Sequence, residues 1–271
     1  MERTKAKKNN FTSRIADQKC LAPGLFLMSI YMPPFFLDAQ PGQFILIRAK
    51  NNSSVFLSRP ISIHSVYKRF RRVICDILYQ VMGEGTQVLA RLKKGDEIVI
   101  NGPLGSGFDI ENLRPRIVLI AGGMGVAPLR YLVEKITSSS EVQDVICYQG
   151  GRNRGALPEI KCFKELCKDH RISTDDGSMG QPGLITDLFA TDLESYNDDD
   201  SIIFACGPHQ MLVSLKAKMK GRQIRCQVSV EARMACGVGA CLGCAVKVSS
   251  GGYACACSEG PVFELNKLDL D

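Results

Sequence analysis

Between positions 114 and 136 the chain reads RPRIVLIAGGMGVAPLRYLVEKI. A continuous apolar run gives way there to a glycine turn and then to apolar residues at helical spacing, the opening of a parallel βαβ unit. Strands of that kind are buried on both faces, so this stretch commits the chain to a sheet covered by helices. Further strand-like runs at DVICYQG and SIIFACG, with helical stretches between them, extend a doubly wound sheet to about Arg225. The turn also has a chemical reading. Gly122, Gly123 and Gly125 permit a pyrophosphate to approach the backbone, and Pro128 suits an early helical position. A tight strand-to-helix turn without a ligand is the other reading. ACGPHQM closes a later strand, where ligands of open sheets collect, so Cys206, Gly207 and Pro208 either line a nicotinamide pocket or end a buried strand.

Ahead of this unit, from about Pro33 to Phe108, the rhythm is different. QFILIRA, RRVICDILYQVM and DEIVINGPLG are short, alternating and bounded by turn residues, which predicts antiparallel strands closing into a small barrel. One brief helix is expected after GEGT, ending at the KKGD turn. In SRPISIHS, Arg59 precedes a chain-fixing proline and Ser62 follows two residues later. An arginine there can grip a pyrophosphate with two parallel hydrogen bonds, and Ser62 can reach a flavin ring nitrogen. The helix opening at GEGT offers free amides to the same pyrophosphate. A surface arginine and an ordinary helix start at Thr86 would leave the same letters.

The chain has 271 residues, 45% hydrophobic and 23% charged, enough for two or three domains with real cores. No apolar run reaches the ~18 residues of a membrane span. The start, MERTKAKKNN, has charge without an apolar stretch behind it, which points to a cytoplasmic protein with its twelve cysteines reduced. The net charge of +6 concentrates at Arg3, Lys5, Lys7 and Lys8 and in YKRFRR, at Lys68, Arg69, Arg71 and Arg72. Such runs are ordinarily solvated faces, and their sharper reading is an acidic protein partner. No stacking aromatics or helix-turn-helix pattern accompanies them, which argues against nucleic acid.

Five cysteines fall in CGVGACLGCAVKVSSGGYACAC, a tail too short to bury a core of its own. Cys236, Cys241 and Cys244, followed by Cys255 or Cys257, have the order of plant-type [2Fe-2S] ligation. Gly237, Gly239 and Gly243 let the backbone turn its amides toward the sulfurs, with Arg233 and Lys247 near enough to offset charge. A structural zinc ion also takes four cysteines, although zinc ribbons favour two separated C-x2-C knuckles. Spacing alone does not choose between Cys255 and Cys257. Cys20, Cys75, Cys147, Cys162, Cys167, Cys206 and Cys226 are scattered, mostly in apolar stretches, and packing is their expected role. After the strand-like HRIST, Asp175 and Asp176 would repel a 2′-phosphate and favour NADH, while Arg152 and Arg154 pull toward NADPH.

Taken in order, RPIS, GEGT, GGMGVAPL, DDGSMG, CGP and the cysteine loop make the chain resemble the ferredoxin reductase superfamily. The tail EARMACGVGACLGCAVKV with CSEGPVFELNKLDL is similar to one branch, the electron transfer subunits of type B dihydroorotate dehydrogenase. The resemblance covers nearly everything after the basic leader. It implies an FAD-binding barrel (residues 1–112), an NAD-binding α/β domain (113–225) and a small [2Fe-2S] domain (226–271). It carries flavin contacts onto Arg59, Pro60, Ile61, Ser62, Leu78, Tyr79, Gln80, Gly85 and Thr86, and cluster ligation onto Cys236, Cys241 and Cys244. Cys257 takes the fourth place because the branch's cysteine stands three residues before the Gly-Pro, here Gly260 and Pro261. Where the wider superfamily has an aromatic residue this chain has Ile61, as the branch tolerates. The leader and Cys255 depart from the pattern.

The chemistry that the resemblance implies is an electron relay. NADH gives up two electrons together as hydride, the flavin takes them, and the cluster carries them off singly to the FMN of a separate catalytic subunit, in a heterotetramer with two of each chain, for pyrimidine (UMP) synthesis. The sequence has no (β/α)8 pattern to house dihydroorotate oxidation, so a partner is required. Hydride transfer to flavin needs positioning more than proton donors, and none of His64, His170 and His209 is nominated as catalytic. The alternatives are a reductase subunit of a sulfide dehydrogenase or oxygenase, and a zinc-stapled interaction protein.

Overall fold

The computed structural model describes residues 10–51, 55–137, 142 and 144–270. Six antiparallel strands close a barrel: β1 (Asn10–Ala22), β2 (Leu25–Met32), β3 (Phe44–Ala49), β4 (Arg59–Arg69), β5 (Arg72–Gln80) and β6 (Glu97–Leu104), in the order β1-β2-β5-β4-β3-β6. Inward positions alternate along each strand, so Ile15, Met28, Ile30, Ile45, Ile47, Ile63, Ile77, Ile98 and Ile100 fill the interior. The brief helix α1 (Glu84–Arg91) lies between β5 and β6, as GEGT predicts. β1 and β2 extend the barrel beyond the strands expected from Pro33 onward. β1 is the longest strand, at 13 residues, yet only Ile15 in it is fully buried, so its letters carry almost no apolar alternation. The basic leader, with Arg3, Lys5, Lys7 and Lys8, lies outside the described residues.

The second layer is a seven-stranded sheet. Its strands are β7 (Arg116–Gly122), β8 (Asp144–Gly151), β9 (Asp169–Thr174), β10 (Gln181–Pro182), β11 (Ser201–Cys206), β12 (Arg225–Ser229) and, later in the chain, β15 (Val262–Glu264), in the order β10-β9-β8-β7-β11-β12-β15. All pairings are parallel except β12 with β15. Helices α2 (Val126–Ile136) and α3 (Ile160–Leu166) cover one face over Ile117 and Leu119. Helices α4 (Ile185–Asp192) and α5 (His209–Lys218) cover the other over Val118 and Ile120. β7 and β11 are neighbours while the chain runs outward from each in opposite directions, so the ligand crevice of such a sheet opens at their carboxyl ends.

The tail does not stand apart. β12 straddles the expected boundary at 225, and β15 returns to pair with it, Val228 opposite Phe263. Between them the chain forms the cysteine loop and a small hairpin, β13 (Ala245–Lys247) with β14 (Tyr253–Cys255). Cys244, Ala256, Cys257, Leu265, Leu268 and Leu270 belong to the same core as Phe189 and Leu215 of the helical layer, and as Leu46 and Leu104 of the barrel. Among the described residues no helix is long and apolar enough to cross a membrane.

Candidate functional site

A cleft of about 900 Å³ runs between barrel and sheet. From the barrel it is lined by Arg59, Pro60, Ile61 and Ser62 of β4, Leu78, Tyr79 and Gln80 of β5, and Thr86 of α1. Arg59 is held across the start of α1. Its Nη1 donates to the Leu57 carbonyl at 2.8 Å, and a side chain on the buried Gly85 would run into its guanidinium, with Cζ only 2.6 Å from the added carbon. Gly85 therefore serves the site by making room for Arg59 and does not itself line the cleft. The Thr86 hydroxyl accepts from the Met82 and Gly83 amides at 2.9 and 3.2 Å and donates to the Gly83 carbonyl, so it locks the turn that opens the helix.

From the sheet come Gly122 and Gly123 at the end of β7, Ala127 and Pro128 of α2, Gly150, Gly151 and Arg152 at the end of β8, Asp175 just after β9, and Cys206 and Pro208 at the end of β11. Gly123 adopts φ +52°, a left-handed turn that a side chain would oppose. Gly125 and Gly207 sit behind the surface. Gly125 packs against the Cys206 carbonyl, and Gly207 lies against Met211 and Gly122, so both bring the ends of β7 and β11 together. Asp175 and Arg152 both line the cleft and Arg154 does not; the Arg154 backbone amide donates to Ser178 Oγ at 2.8 Å. Cys206 is a neutral thiol, pushed up to about 12 by burial.

The cleft has a third wall that no sequence motif marks. Ser229, Val230, Glu231, Ala232, Met234 and Pro261 line it, on the stretch leading from β12 into the cysteine loop and on the turn before β15. Burial raises the Glu231 carboxyl above its ordinary range. EARM and the Gly-Pro belong to the tail motif, but that motif speaks for the cysteines and nothing in these letters marks a wall of the cleft. Their only signal is position, just after a strand that turns out to flank the crevice.

Met234 connects the cleft to the cysteines two residues on. Gly237 takes φ +66° and lies so close to Leu46 and Leu104 that an added Cβ would sit 2.6 and 2.9 Å from their methyls, which seats the loop on the barrel wall. Inside the loop the Val238 amide donates to Cys236 Sγ at 3.4 Å and the Gly239 amide to Cys257 Sγ at 3.1 Å. Backbone amides, Val238 first, bring the Cys236 thiol down to about 6. Cys244 and Cys257 are buried, Cys236 is half-buried and Cys241 exposed. Cys255 ends β14 with its amide bound to Glu259 Oε2 at 2.7 Å, while Cys257 lies beyond the strand in the turn that faces the loop. Among the described residues, no three His, Cys, Asp or Glu side chains converge as the ligands of one metal ion would. A two-iron rhomb asks instead for two pairs of cysteines with amides turned toward the sulfurs, and here the Val238 and Gly239 amides point at Cys236 and Cys257. Lys247 is shared with Asp269, 2.5 Å away, so its charge is not free for the loop. Of the other seven cysteines, five are buried, Cys162 is half-buried and Cys20 is exposed.

Residues 231–269 match the model of the iron-sulfur cluster binding domain of dihydroorotate dehydrogenase B, and residues 119–216 that of the oxidoreductase NAD-binding domain. The dihydroorotate dehydrogenase B (NAD(+)) electron transfer subunit of Clostridium acetobutylicum is 36% identical over 86% of this chain and 88% of its own. That of Bacillus caldolyticus is 35% identical over 94% and 97%. The chain belongs to this family of electron transfer subunits. Among solved structures, one from a study of flavin-based electron bifurcation in the NADH-dependent reduced ferredoxin-NADP oxidoreductase superposes with a TM-score of 0.82. It is 26% identical and is matched over 95% of this chain and 90% of that one. A ferredoxin NADP+ reductase from Neisseria gonorrhoeae with bound FAD and NADP superposes at 0.65 with 16% identity, over 79% and 92%, a likeness of fold. Family membership sets aside the zinc-stapled interaction protein, and the NAD-binding match accords with an NAD-dependent flavin and iron-sulfur oxidoreductase.

Proposed function

We propose that this chain takes electrons from NADH onto FAD and delivers them one at a time, through a [2Fe-2S] cluster, to the FMN of a separate dihydroorotate dehydrogenase catalytic subunit in pyrimidine synthesis. One observation carries the reading. The flavin-type strand, the nucleotide turn and the approach to the cysteine loop are three walls of a single cleft. Arg59 and the open amides of α1 hold the flavin's pyrophosphate, and Ser62 its ring. The turn at Gly122–Gly125 and the start of α2 would hold the dinucleotide, and Cys206 and Pro208 would line its nicotinamide pocket. Cys236, Cys241, Cys244 and Cys257 hold the cluster. FAD, when bound, converts a two-electron hydride into single electrons. The protein's own contribution is to keep water out and the partners in register. The catalytic subunit is read as present in equal number, two of each chain, in the cytoplasm.

The test is an anaerobic visible and electron paramagnetic resonance spectrum before and after NADH. Flavin bleaching with a spin-half signal, then NADH-dependent reduction of orotate when an FMN-containing catalytic subunit is added, is the expected result. Bleaching without transfer to that subunit would move the chain to another acceptor. No iron signal at all would remove the relay.

A further inference from the structure

Beside the cleft, further along β4, lies a second cavity of about 470 Å³. Strand β4 gives Arg59 to Ser62 to the cleft and, two residues later, gives the almost completely buried His64 to this cavity. His64 Nδ1 lies 3.2 Å from the Ala127 carbonyl. A carbonyl only accepts, so Nδ1 carries the hydrogen and Nε2 is bare. Nε2 packs against Glu159 Oε1 at 3.8 Å, a contact between two acceptors and not a hydrogen bond, and Glu159 Oε2 lies 3.6 Å from Arg130 Nε as an ion pair. Arg130 pairs with Glu134 Oε1 at 2.5 Å, and Glu134 Oε2 accepts from Ser65 Oγ at 2.9 Å. The circuit thus begins and ends on adjacent residues of β4.

Two stops on this circuit, Ala127 and Glu159, adjoin the cleft. Ala127 itself lines it on the nucleotide side, and Pro128 is next in the chain. Glu159 directly succeeds Pro158, another lining residue, whose carbonyl accepts from Gln149 Nε2 at 2.6 Å. Glu159 is also held at φ +63°, a conformation unfavourable for a glutamate, which persists only where surroundings enforce it. Half-buried charges and a left-handed glutamate are a poor way to gain stability, for which apolar packing at the same place would serve better. What they do supply is a fixed geometry. His64 takes part as a neutral ring, since burial and the Arg130 charge bring it down to about 4.

We propose that His64 is a positioning residue that sets, from beside the cleft, the spacing between the flavin strand and the nucleotide-binding turn, and so the hydride-transfer distance. The proposal rests on the proposed function of the cleft. Its test compares His64→Leu, which fills similar space without a donor, with His64→Asn, which keeps an N–H near the Nδ1 position. A third variant, Glu159→Gln, cuts the charge link and leaves His64 in place. Two readouts are used on FAD-loaded protein: the flavin difference spectrum on adding NAD+, which needs no turnover, and the limiting rate of anaerobic bleaching at saturating NADH. In His64→Leu the difference spectrum should change shape and the limiting rate should fall about 10- to 100-fold, the scale of a small misplacement, with NAD+ affinity within about threefold of the parent. His64→Asn should recover the rate to within about fivefold, and Glu159→Gln should slow it at least about threefold. A parental rate and spectrum in His64→Leu, or in Glu159→Gln should the leucine variant fail to fold, overturns the proposal. So does equal loss in the leucine and asparagine variants. Parent protein that fails to bleach overturns the functional reading instead, while the NAD+ spectra still decide the positioning role.

Discussion

Cys255 and Cys257 are two residues apart and chemically identical, yet the fold treats them differently. Cys257 receives the Gly239 amide inside the loop, and Cys255 closes a hairpin strand. We therefore expect Cys257→Ser to purify without its full iron and sulfide, and Cys255→Ser to keep both, as measured by iron and sulfide content with the visible spectrum. His64 provides a second prediction at this scale. Its ring is brought down from 6.5 to about 4, so between those values the unfolded chain binds the proton and the folded chain does not. Its contribution to stability is complete above about pH 6.5 and is lost as pH falls toward 4, an effect of about 3 kcal/mol. Urea unfolding of the parent and of His64→Asn at pH 7 and pH 4 should show the parent's advantage shrinking by that order. Glu159 moves oppositely, its carboxyl raised chiefly by burial, and contributes in both chains. A constant difference across this range would mean that the ring titrates in the fold as it does in water.

Helix α2 carries two duties at once. Its first turn forms the floor of the nucleotide wall, and its side chains reach into the barrel, where Tyr131 donates to the Ala39 carbonyl at 2.8 Å and packs among the barrel's isoleucines. Gly125 is where the helix start comes closest to the end of β11. Gly125→Ala would push that end away, because the added methyl meets the Cys206 backbone, which has no rotamer to yield with. FAD should stay bound, since its predicted contacts lie on the barrel, while bleaching by NADH should fall by at least about tenfold; this is read by absorbance during anaerobic titration. Strand β1 is the contrasting element. It was hidden from pattern reading because a strand with one buried residue has no period to detect, and what stabilises it is pairing with β2 and β6 on either side.

Over the whole molecule, the cysteine tail is joined to both layers. Leu265, Leu268 and Leu270 pack into the helical core, and Lys216 of α5 donates to the Leu268 carbonyl at 2.5 Å. An excised tail spanning residues 231–270 should therefore fail to assemble a cluster when supplied with iron and sulfide, whereas the full chain should succeed. A tail that develops the cluster's visible spectrum by itself would contradict this. On the barrel, the hairpin joining β4 to β5 presents Lys68, Arg69 and Arg71 around the exposed Phe70, with Arg72 lying over the Tyr31 ring. If this basic tip meets an acidic catalytic subunit, neutralising Lys68, Arg69 and Arg71 should weaken the complex at low salt and change little at high salt, as measured by calorimetry at two ionic strengths. Unchanged affinity at both would leave the tip a solvated face.

The features legible in the letters are those whose chemistry is local. Arg59 with Ser62, the glycine turn before α2, and the cysteine spacing each act through neighbours in the chain, so a few letters suffice to state what they can hold. The alternation of the barrel strands and the continuous run of β7 likewise encode their burial directly. Tertiary structure alone decided which of these pieces face one another. Glu231, Met234 and Pro261 enter the cleft because β12 and β15 pair beside β11, and His64 meets Glu159 because α2 packs against the barrel. Such contacts join residues far apart in sequence, and their energy comes from burial shared across elements, which no single segment of the chain records.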